Sequence, residues 1–159
     1  MRLIICLLCL SLFANSAPAP RADYHVAWAK EKFGKDVYIS QDDFRLMCHT
    51  VYLEAGNQSK ECMRLVAIVI LNRICHDRFP DKMTEVIYQR DPVQFTVTEK
   101  DGFPDAYPIP DDVEEACYMA LATYPEEPTS LLFFRSKYYH SGLINYKPVG
   151  NMYFSLKEY

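Results

Sequence analysis

The strongest constraint on the fold is an apolar run in the middle of the chain, residues 65–71 (LVAIVIL). Ser59 before it is a suitable N-cap, and Asn72 and Arg73 restore polarity before Cys75. A helix over this segment is apolar on every face of its centre, so it must be buried all round. A strand is the alternative for a β-branched run, but the caps and the total length favour a helix. At this length it cannot span a membrane.

A second helix precedes the central one and carries a carboxylate near its end. Ser40 can cap it, with Asp43 three residues later, and Gly56 ends the pattern. Its apolar residues recur at helical spacing and are Phe44, Met47, Cys48, Val51 and Ala55. On a helical wheel Glu54 falls beside Met47, at the rim of this apolar stripe. A glutamate at a helix end is usually a solvated charge, so periodicity alone makes Glu54 only a candidate for chemistry.

The other segments predict a mixed fold in which helices come first and strands last. Shorter helices are expected over residues 24–33, 84–88 and 111–124, with a long loop over residues 90–110. Residues 131–134 and 151–154 predict two antiparallel strands joined by a stretch that contains Gly and Pro. The expected fold class is α+β, a mainly helical single domain with a small antiparallel β-sheet.

The N-terminus predicts export. Residues 1–17 have a basic start, an apolar run of eleven and small residues after it, as in a signal peptide. An uncleaved membrane anchor is the alternative, although the run is short for a permanent membrane span. Residues 18–39 are expected to form a linker and a short N-terminal helix, and residues 40–159 the main domain. The protein is predicted to be secreted or to act in the cell envelope.

Four cysteines follow the predicted signal peptide, an even number that permits two disulfides in an exported chain. Cys62 and Cys75 lie thirteen residues apart on one predicted helix, about 20 Å, and cannot pair with each other. If bridges form, Cys48 pairs with one of them and Cys117 with the other. Four buried thiols are the equally weighted alternative, and no spacing predicts a metal site.

The net charge of −4 argues against a nucleic-acid partner, because nucleic-acid-binding surfaces are basic. Residues 51–89 instead resemble the core of the SleB/CwlJ family of cell-wall hydrolases, known for spore cortex lysis. The resembling positions are Glu54, Glu61, residues 66–73, Phe79-Pro80 and residues 86–89. The resemblance continues through residues 94–96, 132–134 and 149–151. It implies a lysozyme-like or lytic-transglycosylase-like domain at residues 40–159 that acts on peptidoglycan glycan strands.

The resemblance implies that Glu54 is the catalytic acid and base. Many family members have Glu-Ala-Arg-Gly-Glu where this chain has residues 54–58, EAGNQ, so Gln58 replaces a carboxylate. Glycosidases that hydrolyse their substrate use two carboxylates, and no second one has an equal claim here. The absence favours lytic transglycosylation, in which the sugar's own hydroxyl attacks. Hydrolysis by a water held on Gln58 or Thr96 stays open.

Further residues are candidates for substrate binding. They are Gln58, Gln94, Phe95, Thr96 and Tyr139, which offer amide, hydroxyl and aromatic contacts to sugars. No cofactor or metal is expected, and the protein is predicted to act as a monomer. Two other functions stay open: an N-acetylmuramoyl-L-alanine amidase, and a catalytically inactive wall-binding module. The sequence leaves open whether the substrate is vegetative wall or spore cortex.

Overall fold

A computed structural model describes residues 23–90, 93–105 and 108–159. The predicted signal peptide, residues 1–17, and the start of the linker lie outside the described residues. In chain order the elements are β1 (Tyr24–His25), α1 (Ala29–Phe33), β2 (Tyr38–Ile39), α2 (Gln41–Ala55), α3 (Lys60–Cys75), α4 (Met83–Ile87), a 3-10 helix (Thr96–Glu99), α5 (Asp111–Ala122), β3 (Leu131–Ser136), β4 (Ile144–Val149) and β5 (Met152–Leu156). In the part of the chain so described, no helix has the length and apolarity to cross a bilayer. The α+β prediction is confirmed.

Helix α3 lies at the centre of the domain, as the apolar run predicts. Every side chain from Leu65 to Cys75 is buried, and the helix packs against α2, α4, α5 and β3. Burying one such aliphatic side chain stabilises the fold by about 1.5–3 kcal/mol, so this helix is a major source of stability. The polar residues at its end are tied to the strand that follows: the Asn72 amide donates to the Leu131 carbonyl oxygen at 3.0 Å. Helix α3 therefore fixes β3 relative to the helices.

Helix α2 begins and ends as its sequence predicts. The Ser40 hydroxyl accepts a hydrogen bond from the Asp43 backbone N–H at 3.1 Å, and Gly56 follows the last helical residue. The apolar stripe with Met47 faces the core, and Ala55 beside Glu54 is completely buried. Because the stripe fixes the rotation of the helix about its axis, Glu54 is held at the boundary between core and surface.

The larger sheet has three strands in the order β3-β5-β4, all antiparallel. The predicted pairing of residues 131–134 with residues 151–154 is confirmed, but the segment between them is also a strand. Strand β4 was not predicted because Lys147 and Pro148 interrupt its apolar pattern. A proline is tolerated there because β4 lies at the edge of the sheet, where one side of the strand needs no hydrogen-bonded neighbour.

Part of the predicted N-terminal helix is wrong. Only Ala29–Phe33 is helical, and Gly34 ends it in the left-handed conformation. Tyr24–His25 instead pairs with Tyr38–Ile39 as a two-stranded antiparallel sheet. The ring of Tyr24 lies 4.3 Å from that of Phe44 in α2, measured between ring centroids. This packing across the chain outweighs the local helical pattern.

The four cysteines are buried free thiols, so the disulfide alternative is wrong. The pairing scheme behind it is also wrong, because Cys48 in α2 lies in hydrogen-bond contact with Cys117 in α5. Both residues belong to apolar faces of helices that pack against each other. The scheme failed because it considered only distances along one helix, whereas the packing of α2 on α5 decides which thiols meet.

Candidate active site

A cavity of about 580 Å³ opens where the end of α2 meets the three-stranded sheet. Its lining comes from α2, α3, the segment around the 3-10 helix, and β3 with the residues after it. The residues that line it are Glu54, Arg73, Val93, Gln94, Thr96, Phe133, Phe134, Arg135, Ser136, His140, Ser141, Leu143, Met152 and Lys157. Glu54 is the single acidic residue among these described lining residues. The cavity is large enough for sugar units and combines aromatic with polar surfaces.

Glu54 is partly buried at the edge of this cavity. Burial raises the pKa of its carboxyl group to about 7, because a charged carboxylate is poorly solvated there. Lys100, a hydrogen bond from the Val97 backbone N–H and Arg73 oppose this rise. A carboxyl group with such a pKa is protonated in a large fraction of molecules near neutral pH. It can therefore donate a proton and then accept one, as an acid and base must.

The sequence-predicted site residues divide into two groups. Gln94 and Thr96 line the cavity together with Glu54, and Thr96 is exposed. Phe95 between them is not among the lining residues: it is completely buried, and its ring lies 6.0 Å from that of Phe134, between centroids. Tyr139 is outside the lining, with its ring 5.0 Å from that of Tyr153. The alternation arises because the segment turns into the 3-10 helix at Thr96.

Gln58 also lies outside the cavity lining, and the structure gives it another contact. Its side-chain oxygen accepts a hydrogen bond from the Asn151 backbone N–H at 3.0 Å. Asn151 follows Gly150 in the turn between β4 and β5, and Gly150 has a φ of 58°. A Cβ atom added at Gly150 would overlap the same Gln58 oxygen. Gln58 thus links the end of α2 to the hairpin, and its predicted contact with substrate stays a prediction.

Two other carboxylates near these segments, Glu61 and Glu99, form ion pairs away from the cavity. Glu61 pairs with Arg64 at 2.8 Å in the first turns of α3, and Glu99 pairs with Arg90 at 3.2 Å. Neither lines the cavity. Asp91 lies outside the described residues. Among the residues described, no group of His, Cys, Asp and Glu has the arrangement of metal ligands.

Sequence reasoning missed the cationic lining of the cavity. Arg135 and Lys157 are exposed residues of the sheet region, and His140 follows β3. Their positions depend on how far β3 and β5 extend beyond the predicted strands and on the segment after β3. Arg73 binds a backbone carbonyl group at the end of α3, since its Nε donates to the Leu132 carbonyl oxygen at 2.8 Å. It also lines the cavity.

Comparison with known proteins identifies the family. The model of the Cell Wall Hydrolase family matches residues 57–155, more than half of the chain. The chain belongs to this family. The match includes Gln58, Gln94 and Thr96 but begins three residues after Glu54. The proposal that Glu54 is the catalytic acid therefore depends on the position of its side chain in the cavity and on its burial.

Two solved structures have the same fold. The catalytic domain of the Bacillus cereus SleB protein aligns with a TM-score of 0.63 and 26% identity, over 73% of this chain and 91% of that one. The catalytic domain of the germination-specific lytic transglycosylase SleB from Bacillus anthracis gives a TM-score of 0.61 and 25% identity, over 73% and 95% of the two chains. The predicted resemblance to the SleB family is confirmed.

A curated relative is similar in sequence. The spore cortex-lytic enzyme of Oceanobacillus iheyensis is 35% identical over 109 residues, which is 69% of this chain and 38% of the relative. The chain thus spans less than half the length of that protein.

Proposed function

We propose that this cell wall hydrolase cleaves peptidoglycan glycan strands between N-acetylmuramic acid and N-acetylglucosamine, as a lytic transglycosylase with Glu54 as acid and base. The observation that carries the proposal is the Glu54 carboxyl group, partly buried and with a pKa raised to about 7 at the edge of a cavity of about 580 Å³. The similar proteins support it, since they include a spore cortex-lytic enzyme and a germination-specific lytic transglycosylase. The signal-peptide pattern in residues 1–17 supports action outside the cytoplasm.

The reaction requires two proton transfers at one carboxyl group. Glu54 donates its proton to the glycosidic oxygen as the bond between that oxygen and C1 of the muramic acid breaks. The 6-hydroxyl oxygen of the same sugar then bonds to C1, which gives a 1,6-anhydro ring. Its proton passes to the Glu54 carboxylate, which returns the enzyme to its starting form. No water is consumed, and the atoms of substrate and products balance.

The charge pattern of the cavity favours this route over hydrolysis. Hydrolysis by the two-carboxylate mechanism needs a second Asp or Glu at about 5–9.5 Å from the first. The described lining residues include no acid besides Glu54, and Glu61 and Glu99 are paired with arginines outside it. Transglycosylation needs one carboxyl group, because the attacking hydroxyl belongs to the substrate itself. In this proposal Gln94 and Thr96, which line the cavity, bind the amide substituents of the sugars.

The products of digestion test the proposal. Purified peptidoglycan is incubated with the full chain, and soluble fragments are identified by mass spectrometry. We expect muropeptides that end in 1,6-anhydro-muramic acid, each about 18 Da lighter than its reducing counterpart because no water is added. Reducing muramic acid ends would show hydrolysis and contradict the proposal. Free stem peptides would show an amidase, and no products would show an inactive wall-binding module.

The activity should depend on pH in a way that reports the raised pKa of Glu54. The acid must be protonated, and its pKa is shifted upward, so the active form persists to about pH 7 and is lost above it. We expect kcat/KM to fall on the alkaline side with a midpoint near 7. The measurement is the rate of fragment release from defined glycan strands between about pH 4.5 and 9. A rate that stays constant to the upper limit, with the fold intact, would contradict the assignment.

A further inference from the structure

Arg73 combines deep burial with an unsatisfied charge. Only 3% of its surface is exposed, although it is an arginine in the last turn of α3. Its Nε donates to the Leu132 carbonyl oxygen at 2.8 Å, which fixes one side of the guanidinium group. Its Nη1 is buried and has no hydrogen-bond partner among the described residues. A buried donor without an acceptor is costly, so its presence requires an explanation.

Aromatic rings hold this guanidinium group in place. Its Cζ lies 5.2 Å from the ring centroids of Phe95 and Phe133 and 5.4 Å from that of Phe79. Such contacts attract a cation through the negative faces of the rings, but they provide no hydrogen-bond acceptor. Phe95 is completely buried, so part of this enclosure is inaccessible to solvent. The arrangement fixes a positive charge at one position and leaves it without a carboxylate in hydrogen-bond contact among the described residues.

Arg73 and Glu54 line the same cavity. Burial lowers the pKa of Arg73 to about 9, with Tyr159 and Glu54 opposing the shift, so the group is still charged at neutral pH. No ion pair joins Arg73 to Glu54 within the described part of the chain. The positive charge is thus near the carboxyl group and contributes to its protonation equilibrium without a direct hydrogen bond. Because no direct hydrogen bond joins the two groups, Glu54 can stay protonated before the reaction. The nearby positive charge of Arg73 then stabilises the carboxylate that forms during it.

We propose that Arg73 is a positioning residue that acts as the fixed counter-charge of Glu54, stabilising the carboxylate that exists between its two proton transfers. The proposal rests on the proposed function for its catalytic consequence, whereas the electrostatic effect on Glu54 can be measured without any substrate.

Other charged groups face Glu54, and their effects on its pKa must be distinguished from the effect of Arg73. Lys100 follows the 3-10 helix and is exposed. Arg135 on β3, His140 after it and Lys157 after β5 also line the cavity, and the Val97 backbone N–H donates to the carboxylate. Exposed charges are screened by salt, since the Debye length falls to about 3 Å at 1 M, whereas the buried guanidinium of Arg73 is screened much less. High salt therefore isolates the contribution of Arg73.

The direct test is the titration of the Glu54 carboxyl group by carbon-13 NMR in the full chain, with the signal assigned by its loss in Glu54→Gln. We expect Arg73→Met to raise the midpoint by about one pH unit at high salt, because a nearby positive charge is removed. Arg73→Lys keeps the charge and should keep the midpoint within about 0.3 units. Lys100→Met is the matched control, and its shift should disappear at high salt. A midpoint in Arg73→Met equal to the wild type would overturn the proposal.

Kinetics supply the second readout. In Arg73→Met, kcat on glycan strands should fall about tenfold with KM nearly unchanged, since the lost stabilisation concerns the charged intermediate state. Arg73→Lys should recover most of that loss, which a purely structural role would not predict. If Arg73→Met does not fold, Phe79→Leu is the substitute variant, because it removes one of the rings that hold the guanidinium group. We expect it to raise the titration midpoint of Glu54 by a smaller amount. An unchanged midpoint would count against the proposal. Wild-type protein without glycan-cleaving activity would disprove the proposed function, and the NMR titration would still decide the role of Arg73.

Discussion

Replacing Glu54 by glutamine is expected to reduce kcat on peptidoglycan strands by about 10³-fold or more. General acid–base catalysis contributes about 10²–10⁴-fold, and in the proposed reaction one group supplies both proton transfers. The amide keeps the size and hydrogen-bonding capacity of the carboxyl group but cannot donate a catalytic proton. The measurement is the rate of soluble fragment release, with KM determined separately. Because Gln94 and Thr96, the proposed substrate contacts in the cavity lining, are untouched, KM should change little.

Stability measurements show whether the variant is folded, and they make an independent prediction. The pKa of Glu54 in the folded protein is about 7, above the ordinary value of 4.5. A raised carboxyl pKa means that ionisation is disfavoured in the folded state, so stability decreases as the pH rises from about 4.5 through 7. Gln does not ionise. Glu54→Gln should therefore melt at a higher temperature than the wild type at pH 8, and the two should converge near pH 4.

Glu99→Gln is the matched control for the loss of activity. Glu99 lies on the 3-10 helix that also carries Thr96, but it pairs with Arg90 and does not line the cavity. Its replacement removes the same kind of charge from the same region, and activity should stay within about twofold of the wild type because no proton transfer is affected. Equal losses in the two variants would indicate a two-carboxylate mechanism, and full activity of Glu54→Gln would remove Glu54 from the reaction.

The sequence predicts the helical half of this site well, for a physical reason. The positions of Ser40 and Gly56 fix where α2 begins and ends, and its apolar stripe fixes how it faces the core. These signals are local, so the sequence places Glu54 at the rim of the core. Helix α3 is equally well determined, because a helix with seven successive apolar residues must be buried on all sides.

The sheet half of the site was less predictable, because non-local pairing determines it. Strand β4 has a weak apolar pattern and is a strand because β5 provides hydrogen-bonding partners. The positions of Arg135 and Lys157 in the cavity follow from the pairing of β3 with β5 and from where β5 ends. The separation of Phe95 from its neighbours Gln94 and Thr96 depends on the start of the 3-10 helix. The resemblance to a family covers these segments but does not show which side chains face the cavity.

A buried network of charges connects the helices to the sheet, and its removal should have a large effect on stability. Glu127, only 3% exposed, lies in the segment between α5 and β3. Its carboxylate accepts from Arg64 in α3 at 2.8 Å and from Lys147 in β4 at 3.3 Å. Arg64 also binds Glu61 in its own helix at 2.8 Å. The network therefore holds the edge strand β4 close to the start of α3, on the same hairpin that Gln58 contacts.

Glu127→Ala is expected to lower the free energy of unfolding by about 3 kcal/mol, because breaking a buried ion pair leaves its partner without compensation. Each kcal/mol corresponds to about 2–4 °C in a domain of this size, so the melting temperature should fall by about 10 °C. The matched control is Glu115→Ala, which breaks the 2.6 Å pair with Lys60. Because that pair is exposed, the loss should stay below about 1 kcal/mol. Equal effects of the two variants would show that the buried network adds no special stability.

The pH dependence of this loss identifies its cause. Burial alone would raise the pKa of Glu127, but the hydrogen bonds from Arg64 and Lys147 outweigh it and hold the pKa below the ordinary 4.5. A lowered carboxyl pKa adds stability above pH 4.5 that disappears as the pH falls through the folded-state pKa. The isosteric variant Glu127→Gln should therefore be less stable than the wild type at pH 7 and approach it as the pH falls well below 4.5. A difference that stays constant over this range would assign the loss to packing. The same hairpin borders the Glu54 cavity, but Glu127→Gln removes no charge that faces Glu54. We therefore expect the activity of this variant, measured below its melting temperature, to keep its alkaline midpoint near pH 7.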